Sequence, residues 1–244
     1  MRRTPLLLVA STVASASLLL AGCGATSTPV APAAATQDAA AEAVPLADGL
    51  LPADRFAPGG TVTRVTPDDV AAALGGAHGQ HGVDPGQVSI TPAACTDALE
   101  VARTALGDPS DVDDAVGQYT RSGFGGTAEV LAVGGPSADL VGTLTTAVAA
   151  SPTATVDTAL GQAVVEFGAV TQPALGDAAA VVPVSVTLTP AQGAAMSGSG
   201  LVGVVADGDR VLALATAGLG TTPDPVAFTA LLTAAQDHAV DVLG

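Results

Sequence analysis

From residue 182 to 189 the chain alternates without a break. Val182, Val184, Val186 and Leu188 fall on one side, Pro183, Ser185, Thr187 and Thr189 on the other. Successive side chains of a strand point to opposite faces, so this segment reads as a strand with one face on a core and the other wet. Pro183 cannot donate to a ladder, which favours an edge position for its end of the strand. Residues 201–206 and 211–217 flank Asp207-Gly208-Asp209, a hairpin of the Asp-Gly type. Connections this short demand antiparallel pairing. A chain built around these segments needs an antiparallel sheet with something apolar laid across it.

The remaining segments supply more strands and the covering helices. Residues 61–65 alternate as a strand. Thr66-Pro67-Asp68-Asp69 opens a helix, with Thr as cap, Pro at the first position and acids near the positive end, and Gly75-Gly76 stops it. Thr91-Pro92 opens a second helix whose face is Cys95, Ala98, Leu99, Ala102 and Leu106, closed by Gly107. Strands over 115–121 and 127–133 flank a Ser122-Gly123-Phe124-Gly125-Gly126 turn. Gly135-Pro136 leads into a third helix ending near Ala150, broken by Ser151-Pro152. Short strands follow around 153–157 and 163–170. Asp224-Pro225 caps a terminal helix with a face of Phe228, Leu231, Leu232, Ala235, Ala239 and Val242. The expected class is α+β: a single domain, with an antiparallel sheet of about six strands and about four helices packed on it.

The amino terminus reads as an export signal. Met1-Arg2-Arg3 is basic, residues 5–20 are apolar or small, and the run is short for a membrane span, which takes about 20 residues. Leu20-Ala21-Gly22-Cys23 resembles the lipobox of bacterial lipoproteins. That resemblance makes residues 1–22 a lipoprotein signal peptide and Cys23 the lipidation site, holding the chain on the extracytoplasmic face of the cell membrane. Two acyl chains anchor stably where one is marginal. Residues 23–58, rich in Ala, Pro and Thr, read as a disordered tether that buries nothing. The folded domain is then expected over 59–244, and a chain starting near Gly60 is expected to keep its stability.

Charge excludes some partners. Loss of residues 1–22 leaves five arginines and no lysine against 23 acidic residues, a net charge of −18. Such a chain repels nucleic acid and anionic headgroups. The partners left are the membrane, through lipid on Cys23, and a small envelope ligand or a protein.

Few residues suggest chemistry. With Cys23 carrying lipid, Cys95 is alone: a free thiol, a buried apolar filler or an intermolecular partner. A helix first turn lowers a thiol pKa, as a nucleophile would need, but Cys95 lies on the apolar face. His78 and His81 have a metal-like spacing without a second pair; only His238 remains, near a helix C-terminus where a cation is favourable. Asp108, Asp111, Asp113 and Asp114 lack the EF-hand spacing. Residues 198–203, Gly-Ser-Gly-Leu-Val-Gly, match a dinucleotide fingerprint by letters but precede a strand, with no helix to receive a phosphate. Ser199 is not in a Gly-x-Ser-x-Gly elbow. The residues therefore assign no catalytic group, no metal and no cofactor. The expected function is a noncatalytic, ligand-binding or sensor-like module in the cell envelope. The alternative is an envelope enzyme, a hydrolase or thiol-dependent, with its catalytic residues unassigned.

Three stretches carry a family resemblance: Leu50-Leu51-Pro52-Ala53-Asp54-Arg55-Phe56, Thr91-Pro92-Ala93-Ala94-Cys95, and residues 201–211 from Leu201 to Val211. They resemble a group of actinobacterial lipoproteins, which in turn resemble the extracellular sensor domain of a mycobacterial receptor serine/threonine kinase. The resemblance covers most of residues 50–244. It implies an α+β sheet with a cleft and a ligand-binding role. The family pairs a cysteine at the Cys95 position with one near the end of the third helix; here Ser151 stands in that place, so the resemblance implies no disulfide.

Overall fold

The computed structural model describes residues 44–65, 89–92, 115–133, 140–158 and 161–244. The helices expected after Thr66 and after Thr91 lie outside the described residues. So do Cys23, His78, His81, Cys95, Asp108, Asp111, Asp113 and Asp114.

Alternating Val, Thr, Ala and Leu build nine strands: β1 (Val62–Val65), β2 (Ser89–Thr91), β3 (Ala115–Ser122), β4 (Gly125–Val133), β5 (Thr153–Thr158), β6 (Gly161–Phe167), β7 (Ala178–Pro190), β8 (Met196–Asp207) and β9 (Arg210–Leu219). They form one sheet in the order β1-β3-β4-β9-β8-β7-β6-β5-β2, with every pair antiparallel. Three α-helices accompany it among the described residues: α1 (Ala53–Phe56), α2 (Leu140–Ala150) and α3 (Pro225–Leu243). The class is α+β, as expected, but the sheet has nine strands rather than about six, and the described helices are three rather than about four. The extra strands are short or Gly-interrupted, and a three-residue strand such as β2 leaves no alternation to read.

Two hairpins form where the turn residues place them. Gly208 takes a positive φ of 59° between β8 and β9, and Gly123 one of 57° between β3 and β4. Both are left-handed conformations that glycine adopts without a steric penalty.

β7 departs from expectation in two ways. Ala179, Ala180, Val181 and Val182 are all buried, so both faces are covered there. Leu140 and Val141 of α2 pack with Ala180, Val204 and Ala206 on one face. Phe228, Leu232 and Ala235 of α3 pack with Ala179, Val181, Leu201 and Val205 on the other. The alternation from Val182 to Thr189 appears only past the end of α3, where Thr187 and Thr189 are exposed. Pro183 also lies in an interior strand, not at an edge. Its carbonyl accepts from Gly168 N, just past the end of β6. An extended residue's N and O face the same neighbour, so the missing N–H falls where the β6 ladder has stopped.

α3 begins as its sequence dictates. Asp224 caps it by accepting from Val226 N at 2.9 Å, and Pro225 takes the first position. Gly203 lets the helix sit close, since a Cβ there would meet Leu232 at 2.8 Å and Phe228 at 3.0 Å.

The domain begins earlier than residue 59. A 3-10 turn over Leu46–Gly49 and helix α1 bring Leu50, Leu51 and Phe56 into the same core cluster as Leu131, Leu214 and Leu232. Leu51 is fully buried. The segment expected as tether through residue 58 therefore gives its last dozen residues to the core, because three bulky apolar side chains find a place under α3.

Candidate functional site

Three places among the described residues combine polar groups with enclosure. The first is a clasp that holds the amino-terminal strap (residues 46–56) across the sheet. Register aligns Arg64, Gln118, Glu129, Leu214, Gly203 and Val181 in one row on the α3 face. Gln118 and Glu129 are almost completely buried in it. Leu51 N donates to Glu129 Oε1 at 3.1 Å. Gln118 Nε2 donates to Leu51 O and to Glu129 Oε2, both at 2.6 Å. Arg64 Nη1 donates to Ala47 O at 2.7 Å, and His238 Nε2 to Asp48 O at 3.1 Å. Burial pushes the Glu129 carboxyl above its usual range, while the bonds from Gln118 and Leu51 and the charges of His238 and Arg64 pull it back. Gln118 Oε1 has no hydrogen-bond partner among the described residues. Every bond of this clasp ends on the strap's backbone or on another clasp member, so its chemistry is structural. His238 belongs to it, near a helix C-terminus as expected.

The second is a polar cleft of about 580 Å³ beside the carboxyl-terminal half of α3, lined by Leu175, Asp207, Arg210, Gln236, Asp237 and Asp241 among others. Asp207 Oδ2 is already held by Arg210 at 3.2 Å and Gln236 at 3.0 Å. No group of three metal-ligating side chains occurs among the described residues.

The third is a cleft of about 400 Å³ in the angle between the sheet and the amino terminus of α3. Pro183 and Leu201 floor it, and Pro223 and Pro225 wall it. One register row, Glu166–Ser185–Ser199, closes its open side. Ser185 Oγ donates to Glu166 Oε2 at 3.1 Å, and Ser199 Oγ donates to Thr221 O at 2.7 Å. Ser199, singled out in the sequence only to be dismissed, thus ties the loop before α3 to the sheet. Residues 198–203 are strand β8, and no helix follows them to hold a phosphate. Glu166 and Ser185 carry no sequence motif; only their cross-strand pairing brings them together, and pairing is not written in either strand alone.

Among the described residues, neither Ser185 nor Ser199 is hydrogen-bonded to a histidine. Ser185 and Ser199 stand at the amino-terminal end of α3, and His238, the described histidine, stands near the other end. His238 lies thirteen positions beyond Pro225 along the helix, a distance of about 20 Å. Ser151 is buried just past the end of α2, its hydroxyl without a partner among the described residues. No described helix is long and apolar enough to cross a membrane.

No protein-family model matches the chain, and no curated protein does. Solved structures do. The extracellular domain of PknH from Mycobacterium tuberculosis matches with a TM-score of 0.43 and 14% identity, covering 85% of this chain and 96% of that one. An uncharacterized protein of Mycobacterium smegmatis, the Rv0999 ortholog, matches with a TM-score of 0.41 and 13% identity, covering 74% and 86%. Similarity of this degree transfers no activity. Both neighbours are mycobacterial, and the first is an extracellular domain.

Proposed function

We propose that this chain is a noncatalytic, sensor-like ligand-binding domain, held on the outer face of the cell membrane by lipid on Cys23. The observation that carries this reading is the opposite placement of strap and cleft. The first packed of the described residues, Leu46 to Gly49, lie against the carboxyl-terminal end of α3, where His238 meets Asp48 and a Cβ on Gly49 would strike Leu243. The apolar cleft opens at the amino-terminal end of the same helix. A chain running back from Leu46 to a lipid on Cys23 leaves the domain at the end of α3 opposite the cleft. The intervening two dozen or so residues reach at most about 80 Å when extended. An apolar cleft with a few placed polar groups is what small-molecule sites are generally made of. Metabolic labelling with a palmitate analogue tests the anchor. The wild type is expected to be marked and Cys23→Ala unmarked; a labelled Cys23→Ala protein overturns the lipid anchor.

A further inference from the structure

The cleft at the amino-terminal end of α3 has one ionisable side chain among its described lining residues, and that side chain is an acid. Glu166 is exposed to the cleft's open side, and its described partner is the Ser185 hydroxyl. A hydroxyl donates a hydrogen bond without neutralising a carboxylate. Much of the rest of the wall, Pro183, Leu201, Pro223 and Pro225 included, offers a ligand apolar surface, and the prolines offer no N–H donors. Ser199 Oγ is already committed to Thr221 O. The chain as a whole carries a net charge of −16, so an anionic ligand meets repulsion on approach and again at Glu166.

From these groups, and resting on the ligand-binding reading above, we infer that the cleft takes a small amphiphile with a cationic head, an amine or guanidinium, on an apolar body. The body lies on the proline and leucine surface. The head sits at the mouth, where Glu166 supplies a charge-assisted hydrogen bond and the serine row a polar rim. No bond is made or broken; the site selects by charge sign and by apolar bulk.

Three probes with the same ring and different heads separate the claims: benzylamine, benzyl alcohol and benzoate, followed by ligand-observed NMR on the full chain. The expected order is benzylamine tightest, benzyl alcohol weaker and benzoate weakest. In Glu166→Gln, benzylamine is expected to lose about fivefold and fall to the level of benzyl alcohol, the size of effect an exposed charge pair supplies. Glu166 is exposed, so this variant leaves the core untouched. Ser185→Trp fills the cleft and is expected to remove binding of all three probes. If benzoate binds as tightly as benzylamine, the cationic class is overturned while the ligand-binding cleft stands. If benzylamine binds equally well to Glu166→Gln, the role of Glu166 is overturned. If benzylamine binding survives Ser185→Trp, it reflects the acidic surface at large and the site is overturned. If no probe binds the wild type, the ligand-binding reading falls with it.

Discussion

Glu129 is the residue on which the strap depends most directly, and among the described residues it is the one whose ionisation the fold disfavours. Its carboxyl is desolvated by burial, and this outweighs the bonds from Gln118 and Leu51. A raised carboxyl pKa means the folded chain holds a proton that the unfolded chain has lost. Stability from this group is therefore full below the unfolded value and declines as pH rises through the raised one. Glu129→Gln keeps an acceptor for Leu51 N and removes the ionisation. In urea unfolding at about pH 4.5 and pH 8, the variant is expected to compare better with the wild type at the higher pH. An equal difference at both values would show that burial does not control Glu129. Measuring the difference between two chains cancels the self-repulsion of the other acids, which also grows with pH. The sequence gives no sign of this residue. Glu129 sits in an alternating strand, Gly-Gly-Thr-Ala-Glu-Val-Leu-Ala-Val, at a position indistinguishable from a wet face until the strap is known to cover it. Gly203 was equally hidden. Its glycine reads as part of a nucleotide motif by letters, and as close helix packing only once α3 lies on it.

Among the elements, hairpins and caps were the most legible and the strap the least. Asp224-Pro225 and Asp207-Gly208-Asp209 act through neighbours in the chain, so local chemistry settles them. The strap is short, proline-flanked and adjacent to an Ala/Pro/Thr-rich stretch, and its helix α1 has only four residues. Its order comes from tertiary contacts alone. Leu50, Leu51 and Phe56 are each buried to 4% exposure or less. A side chain of this kind contributes about 1.5–3 kcal/mol on burial. Three of them are a large share of the roughly 5–15 kcal/mol that holds a typical domain together. A chain beginning at Val44 is expected to melt with the full mature chain. One beginning at Gly60 is expected to lose most of its cooperative transition in calorimetry. A transition shifted by only a few degrees in the Gly60 chain would mean that the rest of the core holds without the strap. The expectation that residues through 58 bury nothing is at odds with the burial of Leu50, Leu51 and Phe56, because bulk, not composition, decides burial. The same holds for the cleft. Its walls come from β6, β7, β8 and the loop before α3, four pieces that only the sheet order brings together.

At the scale of the whole molecule, the strand order divides the sheet by time as well as by space. β5 to β9 form an unbroken meander, each strand paired with the next along the chain. The β3–β4 hairpin is a second local unit, but it joins the meander through β4 and β9, where Val133 meets Arg210 and Gly125 meets Gly218. That seam closes a long loop, while the meander's pairings close short ones. Loop-closure entropy must be met before a distant pairing returns anything, so local pairings form first. The seam is thus expected to be the slow step of assembly, with the strap and its clasp on Gln118 and Glu129 completed only after it. In pulsed hydrogen exchange during refolding, amides of β7 and β8 should gain protection before those of β4. Simultaneous protection across β4 and β9 would argue for a single nucleus spanning both. The clasp then acts as a proofreader: Leu51 finds its partners only on a sheet whose two halves have already come into register.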